Sequence, residues 1–442
     1  MAPKVILLTV PALRVADLEN MPRLRSLVRQ GSQARIQHSF PTVTWPAQAN
    51  LLTGKTPEQH GVIANGFYWR EEHRVEMWTA WNEVIQAPQI WDRLPQINPD
   101  LKSAAWFPML SKGCGADYVC MPAPIHQEDG SEDLWCYTKP QPFYGELLET
   151  MGHFPLQHFW GPLANIQSSQ WIADSAALAF KRFEPDFFYI YLPHLDYAAQ
   201  KTGPDNPAAL TAVEELDQVI GGLAEQILAA HESVTWLVAS EYVITPVDHV
   251  SYPNRILREA GLLQVSQQDD GEHLDLAGSA AWAMVDHQFS HVFVKDSEPA
   301  VIDRVKDLFQ GEAGIDQVLA LQERHQLQMN HERSGEVILV STPNSWQAYY
   351  WWLDDARAPG FARTVDIHRK PGYDPVELHF DRETRSIPLD ASLVRGSHGA
   401  PAVSLEQQGV VLSSCPQLLK SDPIAETDIC DLVLETFRTR LP

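Results

Sequence analysis

The sequence has few basic side chains for its length and no cluster of them. Its 442 residues include 33 lysines and arginines against 57 aspartates and glutamates, which gives a formal net charge of −24. A chain this acidic repels a phosphate backbone, so we exclude a nucleic acid polymer as its partner. A small anionic substrate is compatible with this charge, because a metal ion or a helix terminus can make a local field positive.

Cysteine is scarce as well, and long apolar runs are missing. The five cysteines are an odd number and lack the spacing of a zinc site. The apolar run Val5–Val10 is too short for the hydrophobic region of a signal sequence or for a membrane span. We therefore predict a protein of the reducing cytoplasm with no membrane partner. Its oligomeric state does not follow from the sequence.

Apolar runs of strand length alternate with helical patterns along much of the chain. The runs at 5–10, 187–192 and 234–239 are continuous, as is typical of strands that helices cover on both faces. Helical patterns follow the first two runs, at 21–30 and at 207–227. This alternation predicts an α/β fold with a mostly parallel central sheet and helices on both faces.

Two regions interrupt the alternation. Residues 66–165 are rich in Trp, Pro, Cys and Met with weak periodicity, which indicates long excursions over one edge of the sheet. Residues 256–333 combine short helical and strand patterns, which predicts a small α+β insertion. We therefore assign residues 1–255 and 334–442 to the α/β core.

Polar residues that follow the predicted strands mark the candidate site, because ligands of parallel sheets bind beyond the carboxyl ends of the strands. Asp196 follows the run at 187–192, and Glu241 and Tyr242 follow the run at 234–239. Thr44 precedes a helical run and would lie at its positive end, where a phosphate group is favoured. A threonine that only caps the helix is the simpler alternative.

The segment Phe40–Asn65, F-P-T-V-T-W-P-A-Q-A-N-L-L-T-G-K-T-P-E-Q-H-G-V-I-A-N, resembles the nucleophile segment of one enzyme family. That family is the nucleotide pyrophosphatase/phosphodiesterase branch of the alkaline phosphatase superfamily. Segments at 5–27, 192–204, 240–242 and 395–399 resemble further family motifs in the same order. The resemblance implies an alkaline-phosphatase-like fold and a metal-assisted hydrolase of phosphoric esters or anhydrides.

The resemblance also implies roles for individual residues. Thr44 falls on the family's covalent nucleophile, which two zinc-type metals bind, and Asn65 on a residue that stabilises the transition state. Asp196 and His398 fall on metal ligands, and Glu241 is a longer carboxylate at a third ligand position.

Three other ligand positions of the family carry different residues here. Pro11 has no metal-binding group, and Gln200 and Tyr242 stand where histidines are usual. We therefore expect a reduced or rebuilt site with one divalent metal, zinc by analogy, rather than two. Gln200 and Tyr242 are assigned instead to contact with a small anionic substrate.

The segment 365–375 contains candidate replacements for the missing ligands. Asp366 and His368 would share one face of an extended chain, and Lys370 would suit an anionic substrate. A surface hairpin with a Pro-Gly turn is the alternative. Trp45, next to Thr44, is a candidate to stack on a planar leaving group, with simple burial as its alternative.

Two further functions stay open at this stage. One is a degenerate, metal-poor member that binds an anionic metabolite or a partner without turnover. The other is a changed reaction on the same scaffold, because fold does not fix chemistry. In the insertion, the group formed by Asp286, His287 and His291 is predicted to be packing at a strand end rather than a second metal site.

Overall fold

The computed structural model of this chain describes residues 3–126 and 132–440. Two larger sheets organise these residues. Their strands, in chain order, are β1 Lys4–Val10, β2 Ser32–Gln37, β3 Ser103–Trp106, β4 Tyr118–Pro122, β5 Cys136–Lys139, β6 Phe187–Tyr191, β7 Val234–Ser240, β8 Ala281–Asp286, β9 Phe289–Val294, β10 Ile315–Ala320, β11 Val337–Ser341, β12 Gly409–Ser413 and β13 Ile424–Ala425.

The helices follow the same order along the chain. They are α1 Pro22–Leu27, α2 Thr44–Thr53, α3 Pro57–His60, α4 Ile90–Ile97, α5 Phe143–Met151, α6 Ile166–Phe183, α7 His194–Thr202, α8 Pro207–Ala230, α9 Pro253–Glu259, α10 Pro299–Phe309 and α11 Asp428–Arg440. Across the described ranges, no helix is both long enough and apolar enough to span a membrane.

The larger sheet has nine strands in the order β13-β2-β12-β7-β1-β6-β3-β4-β5. Its central strand β1 pairs in parallel with β6 and β7, whereas β12 and β5 run antiparallel to their neighbours. The apolar side chains of β1 are buried, because helices cover the sheet on both faces. The predicted α/β fold with a mostly parallel sheet is confirmed.

The helix ends follow from local chemistry. The side chain of Asn206 accepts a hydrogen bond from the Ala208 amide, and Pro207 occupies the first turn of α8. At the other end of a helix, Gly54 stops α2 in a left-handed conformation with φ of 68°, which glycine adopts without a steric cost.

The smaller sheet is antiparallel, with the strand order β8-β9-β11-β10, and α10 packs on it. Strand β11, which lies beyond the predicted insertion 256–333, pairs with β9 and β10 in this sheet. The turn between β8 and β9 contacts the late part of the chain, because the Gln288 amide donates to the His398 carbonyl at 2.9 Å. This contact brings the smaller sheet against the carboxyl ends of β6 and β7.

Short hairpins and pairs of strands complete the described fold. They are Gly66–Trp69 with Arg74–Met77, Ile125–His126 with Glu132–Asp133, Thr245–Pro246 with Gly396–Ser397, His249–Ser251 with Ser345–Gln347, and Gln264–Gln268 with Gly271–Asp275.

Candidate active site

Thr44 is the first residue of α2, but its hydroxyl does not cap the helix. The N-cap position is Val43, and no side-chain hydrogen bond caps this end. The alternative that Thr44 merely caps the helix is therefore wrong. The hydroxyl instead contacts the Tyr242 hydroxyl, with 3.2 Å between the two oxygens. Because the helix dipole is positive here, this end of α2 favours an anion.

A chain of buried hydrogen bonds leads from Thr44 to Gln200. The Tyr242 hydroxyl donates to Asp196 Oδ1 at 3.3 Å, and Gln200 Nε2 donates to Asp196 Oδ2 at 2.8 Å. Gln200 Oε1 in turn accepts a hydrogen bond of 2.8 Å from the Tyr373 hydroxyl. Burial raises the pKa of Asp196 to about 7, and the two hydrogen bonds that it accepts lower it in part. The structure thus joins Asp196, Gln200 and Tyr242 in one network at Thr44.

His398 approaches the same carboxylate from another side. Its Nδ1 lies 2.6 Å from the Thr42 carbonyl oxygen, so this nitrogen carries the hydrogen and Nε2 the lone pair. Nε2 lies 3.8 Å from Asp196 Oδ1 and has no hydrogen-bond partner among the described residues. The His398 ring stacks on Tyr242, with centroids 3.8 Å apart. Burial lowers the pKa of His398 well below its ordinary value, which keeps the imidazole neutral.

Asn65 joins the nucleophile segment to the smaller sheet. Its Oδ1 accepts a hydrogen bond from the Trp45 amide at 3.0 Å. Its backbone amide and its Nδ2 donate to the carboxylate of Asp286, at 2.8 and 3.2 Å. His287 Nδ1 lies 2.6 Å from Asp286 Oδ1, and the His287 ring stacks on Tyr373 with centroids 3.6 Å apart. Asp286 and His287 therefore belong to the candidate site.

The sequence reasoning missed Asp286, His287 and Tyr373 as residues of this site. The Asp-His pair comes at the end of the apolar strand β8, and a polar pair in that position is the signal that could have found it. The sequence analysis instead assigns the pair to packing at a strand end, because nothing local in the chain shows that the insertion meets the core here. His291, the third member of that group, is buried within the smaller sheet, and its Nε2 lies 3.2 Å from the Ile63 carbonyl oxygen.

Glu241 is fully buried, and its hydrogen bonds are made with residues other than Thr44. Its Oε1 accepts hydrogen bonds from Gln48 Nε2 at 3.1 Å and from the Tyr189 hydroxyl at 3.3 Å. Its Oε2 is buried without a hydrogen-bond partner among the described residues. Burial raises the pKa of Glu241 to about 8, and the hydrogen bonds that it accepts lower it in part. A carboxyl group with a pKa of about 8 is mostly protonated at neutral pH.

The network opens into a cavity of about 80 Å³. Among the described residues that line it, none is Lys or Arg, and most are aromatic. The lining consists of Thr44, Trp78, Met109, Phe159, Trp160, Tyr191, Asp196, Tyr197, His287, Ile367 and Tyr373. The aromatic walls suit a planar group, and the polar end carries the Thr44 hydroxyl, the Asp196 carboxyl group and the His287 imidazole.

The segment 365–375 contributes to the cavity, but not through Asp366 and His368, the two residues that the sequence predicts as replacement ligands. Ile367 lines it, whereas Asp366 forms an ion pair with Arg369 and His368 is exposed, with its Nδ1 3.3 Å from the Met77 carbonyl oxygen. The structure does not bring Asp366 and His368 together with Asp196 and His398 in a common group that could hold a metal.

Lys370 and Trp45 are buried. The Lys370 ammonium group lies 2.8 Å from Asp374 and 2.6 Å from Glu377, and it donates to the Thr364 carbonyl at 3.0 Å. With three partners for its three hydrogens, it has none left for a substrate. Trp45 packs against Phe67 and Trp78. Trp78 lines the cavity, whereas Trp45 is not among the lining residues.

The donor set does not fit the two-metal centre that the resemblance implies. Among residues 3–126 and 132–440, no three His, Cys, Asp or Glu side chains converge in a way that could hold a metal ion. Pro11 offers no side-chain donor. Asp196 Oδ1 and His398 Nε2, 3.8 Å apart, are two facing donors, which is fewer than the three or four protein ligands usual for zinc. The site keeps at most a partial set of donors for one ion.

We predict that Glu241→Gln makes the free energy of unfolding less dependent on pH. The folded chain holds the Glu241 proton with a pKa of about 8, against an ordinary value of 4.5, so stability falls as the pH rises between these values. The uncharged glutamine removes this loss, which is on the order of a few kcal/mol. Denaturant unfolding at pH 5 and pH 8 measures it. The exposed Glu259→Gln serves as the control, and an equal pH slope in all three proteins would contradict the prediction.

Comparison with known proteins places the chain among phosphodiesterases. The family described as type I phosphodiesterase / nucleotide pyrophosphatase matches residues 5–374. A bis(5'-adenosyl)-triphosphatase of Bos taurus is 24% identical over 255 residues, which cover 55% of this chain and 48% of that enzyme. A human ectonucleotide pyrophosphatase/phosphodiesterase, family member 7, is 23% identical over 231 residues, 51% of this chain and 44% of its own length. These matches thus span about half of each curated relative or less.

Solved structures share the whole fold at low sequence identity. Murine ectonucleotide pyrophosphatase/phosphodiesterase 5, an inactive form in complex with AMP, matches with a TM-score of 0.64 and 14% identity. The match covers 100% of this chain and 96% of the murine one. Phosphonoacetate hydrolase from Sinorhizobium meliloti in complex with phosphonoacetate has a TM-score of 0.64 and 16% identity, over 98% of this chain and 96% of that chain. The predicted alkaline-phosphatase-like architecture agrees with both.

Proposed function

Since this chain belongs to the type I phosphodiesterase/nucleotide pyrophosphatase family, we propose that it hydrolyses small phosphoric esters or anhydrides with Thr44 as the nucleophile. One observation carries the proposal. The Thr44 hydroxyl stands at the positive end of α2, is not used as a helix cap, and faces the cavity that also holds Asp196 and His287. A hydroxyl group in that position meets an anion that the helix terminus favours.

The reaction follows from this geometry. The Thr44 oxygen forms a bond to phosphorus while the bond from phosphorus to the leaving oxygen breaks, and water then hydrolyses the phosphothreonine. Attack requires a group that accepts the hydroxyl proton. The hydrogen bonds from Thr44 through Tyr242 lead to the Asp196 carboxylate, which is the acceptor in this proposal. A divalent ion, with zinc as the candidate, would be held by Asp196 and His398, where it would neutralise charge on the phosphoryl group.

The cavity walls indicate the kind of leaving group. Trp78, Trp160, Tyr197 and Tyr373 form an aromatic lining beside Thr44, which suits a planar ring. The triphosphatase relative acts on a substrate with adenosyl groups, and the murine neighbour binds AMP, as their names state. We therefore propose esters or anhydrides that carry a planar group, such as a nucleobase, as the first substrates to test.

The donor set favours a second candidate, which is binding of an anionic ligand without turnover. The site lacks three converging metal ligands among the described residues, and a threonine hydroxyl is a poor nucleophile without activation. An assay of bis(4-nitrophenyl) phosphate and dinucleotide polyphosphates, with and without added zinc, separates the candidates. Turnover supports the hydrolase. Calorimetric binding of AMP with no turnover in any metal condition supports the binding protein.

We predict that Asn65→Ala lowers turnover per folded molecule by about a hundredfold to a thousandfold, as expected for one transition-state donor. The substitution removes the acceptor of the Trp45 amide and the donor to Asp286, so both the nucleophile segment and the Asp-His pair lose an anchor. The matched control is Asn254→Ala, a buried asparagine that bonds Ala283 and Tyr349 away from the cavity. Equal turnover in the Asn65 and Asn254 variants would exclude this role.

A further inference from the structure

The space between Thr44 and Asp196 is filled by the hydroxyl group of Tyr242. This oxygen lies 3.2 Å from Thr44 Oγ1 and 3.3 Å from Asp196 Oδ1, so it bridges the two side chains directly. An ion that bound both oxygens would sit about 2 Å from each of them, which is the distance of a zinc-oxygen bond. Such an ion would lie between the two oxygens, in the space that the Tyr242 hydroxyl now fills, and the two could not be present together.

The Tyr242 side chain is fixed in this position. Only 1% of its surface is exposed, and its ring lies flat on His398 with 4° between the planes. Its backbone carbonyl accepts hydrogen bonds from the Ala12 amide at 3.0 Å and from the Ser240 hydroxyl at 2.9 Å. A stacked, buried ring that is bonded at both ends does not swing aside to admit an ion without repacking.

The neighbouring positions agree with this reading. Pro11, which precedes the Ala12 amide, has no side-chain donor, and the carboxyl group of Glu241 turns towards Gln48 and Tyr189. Pro11 thus supplies no ligand here, and of the Glu241 oxygens Oε1 is hydrogen-bonded, while Oε2 is buried without a hydrogen-bond partner among the described residues. The side of His398 differs, because His398 Nε2 and Asp196 Oδ1 face each other at 3.8 Å and can both bind a cation.

We propose that Tyr242 replaces a metal ion in this chain, holding the Thr44 hydroxyl against Asp196 and closing that position to cations. Tyr242 is then a positioning residue for Thr44. The part that concerns Thr44 chemistry rests on the proposed function, whereas the closed metal position does not depend on turnover. The chain binds at most one divalent ion, on the side of His398.

The metal content of purified protein tests the closed position. We expect the parent chain, saturated with zinc and dialysed, to hold at most about one zinc ion by elemental analysis. The double variant Pro11→Asp/Tyr242→His supplies a carboxylate and an imidazole and should gain about one more. Adding Thr44→Val to this variant should weaken the binding of the additional zinc ion, because the threonine oxygen is one of its ligands in this proposal. The control is Tyr350→Phe, a buried tyrosine outside the candidate site whose hydroxyl has no hydrogen-bond partner among the described residues. Two zinc ions in the parent, or no gain in a folded double variant, would overturn the proposal.

Tyr242→Phe provides a second test that keeps the stacked ring. Loss of the hydroxyl should lower kcat at least about tenfold with little change in KM, because it removes the hydrogen bond that orients Thr44 and interrupts the path from Thr44 to Asp196, while the bound substrate keeps its contacts. Zinc content should stay at the parental value, since no ligand is added. Parental kcat in this variant would show that Tyr242 does not hold the nucleophile. Should the parent show no turnover at all, the proposed hydrolase fails, and the zinc counts still decide the metal position.

Discussion

Replacing Thr44 with valine should lower the hydrolysis of any phosphoric ester substrate by about three orders of magnitude or more. Valine keeps the β-branched shape but has no oxygen to bond to phosphorus. Stability should change little, because Val43 rather than Thr44 occupies the cap position, and the Tyr242 hydroxyl keeps Asp196 as a partner. The loss of one buried hydrogen bond costs about 1 kcal/mol. Initial rates and the melting temperature of both proteins measure the two effects.

The matched control for Thr44→Val is Thr53→Val at the other end of the same helix. Thr53 is also buried, and its hydroxyl donates to the Ala49 carbonyl and accepts from the Lys55 amide. This variant should lose a similar amount of stability and keep its turnover. A substrate analogue such as AMP should bind Thr44→Val with nearly the parental affinity. Parental turnover in Thr44→Val would mean that no covalent threonine step exists and that the chemistry lies elsewhere on the scaffold.

Lys370→Met should destabilise the folded chain by about 3–5 kcal/mol, the range for removing one partner of a buried ion pair. The lysine is only 1% exposed, and its ammonium group lies between Asp374 and Glu377. Without it, two carboxylates stay buried with no cation between them. Burial raises the pKa of Glu377, and Lys370 lowers it in part, so the variant should lose more stability at high pH than at low pH. Denaturant unfolding measures the change.

Two further variants identify the cause. Lys102→Met removes the half-exposed partner of Asp117, and a pair of that kind contributes about 0–1 kcal/mol. The triple variant Lys370→Met/Asp374→Asn/Glu377→Gln removes the charges together and should recover much of the loss. If the triple variant is as unstable as Lys370→Met, packing of the lysine chain rather than charge explains the effect. Because Ile367 and Tyr373 line the cavity, the single variant should also bind ligands less tightly.

The smaller sheet and the segment that follows it contribute several residues of the site, among them Asp286, His287 and Tyr373. The pattern correctly predicts strands near β8 and β9, but not that their turn meets His398 and Tyr373. A periodic pattern reports which face of a strand is buried and says little about which other sheet buries it. For the same reason β11 joins the smaller sheet, although its position in the chain suggested a return to the core.

The sequence by itself determined the fold class and the identity of the central groups. Continuous apolar runs predict β1, β6 and β7, because strands covered on both faces need no polar alternation. The motif at Phe40–Asn65 pointed to Thr44. The residues Pro11, Gln200 and Tyr242, which stand at ligand positions of the family, pointed to a metal site with fewer ligands. All of this information is local in the chain.

Only the tertiary structure decided which side chains meet. It joins Thr44, Tyr242 and Asp196 through hydrogen bonds across separations of 198 and 46 residues, and it bonds Glu241 to Gln48 and Tyr189 instead. It also places the Lys370 ammonium group within ion-pair distance of Asp374 and Glu377. The physical reason is that a buried polar group must find a partner within hydrogen-bond distance, and packing decides which group is near enough.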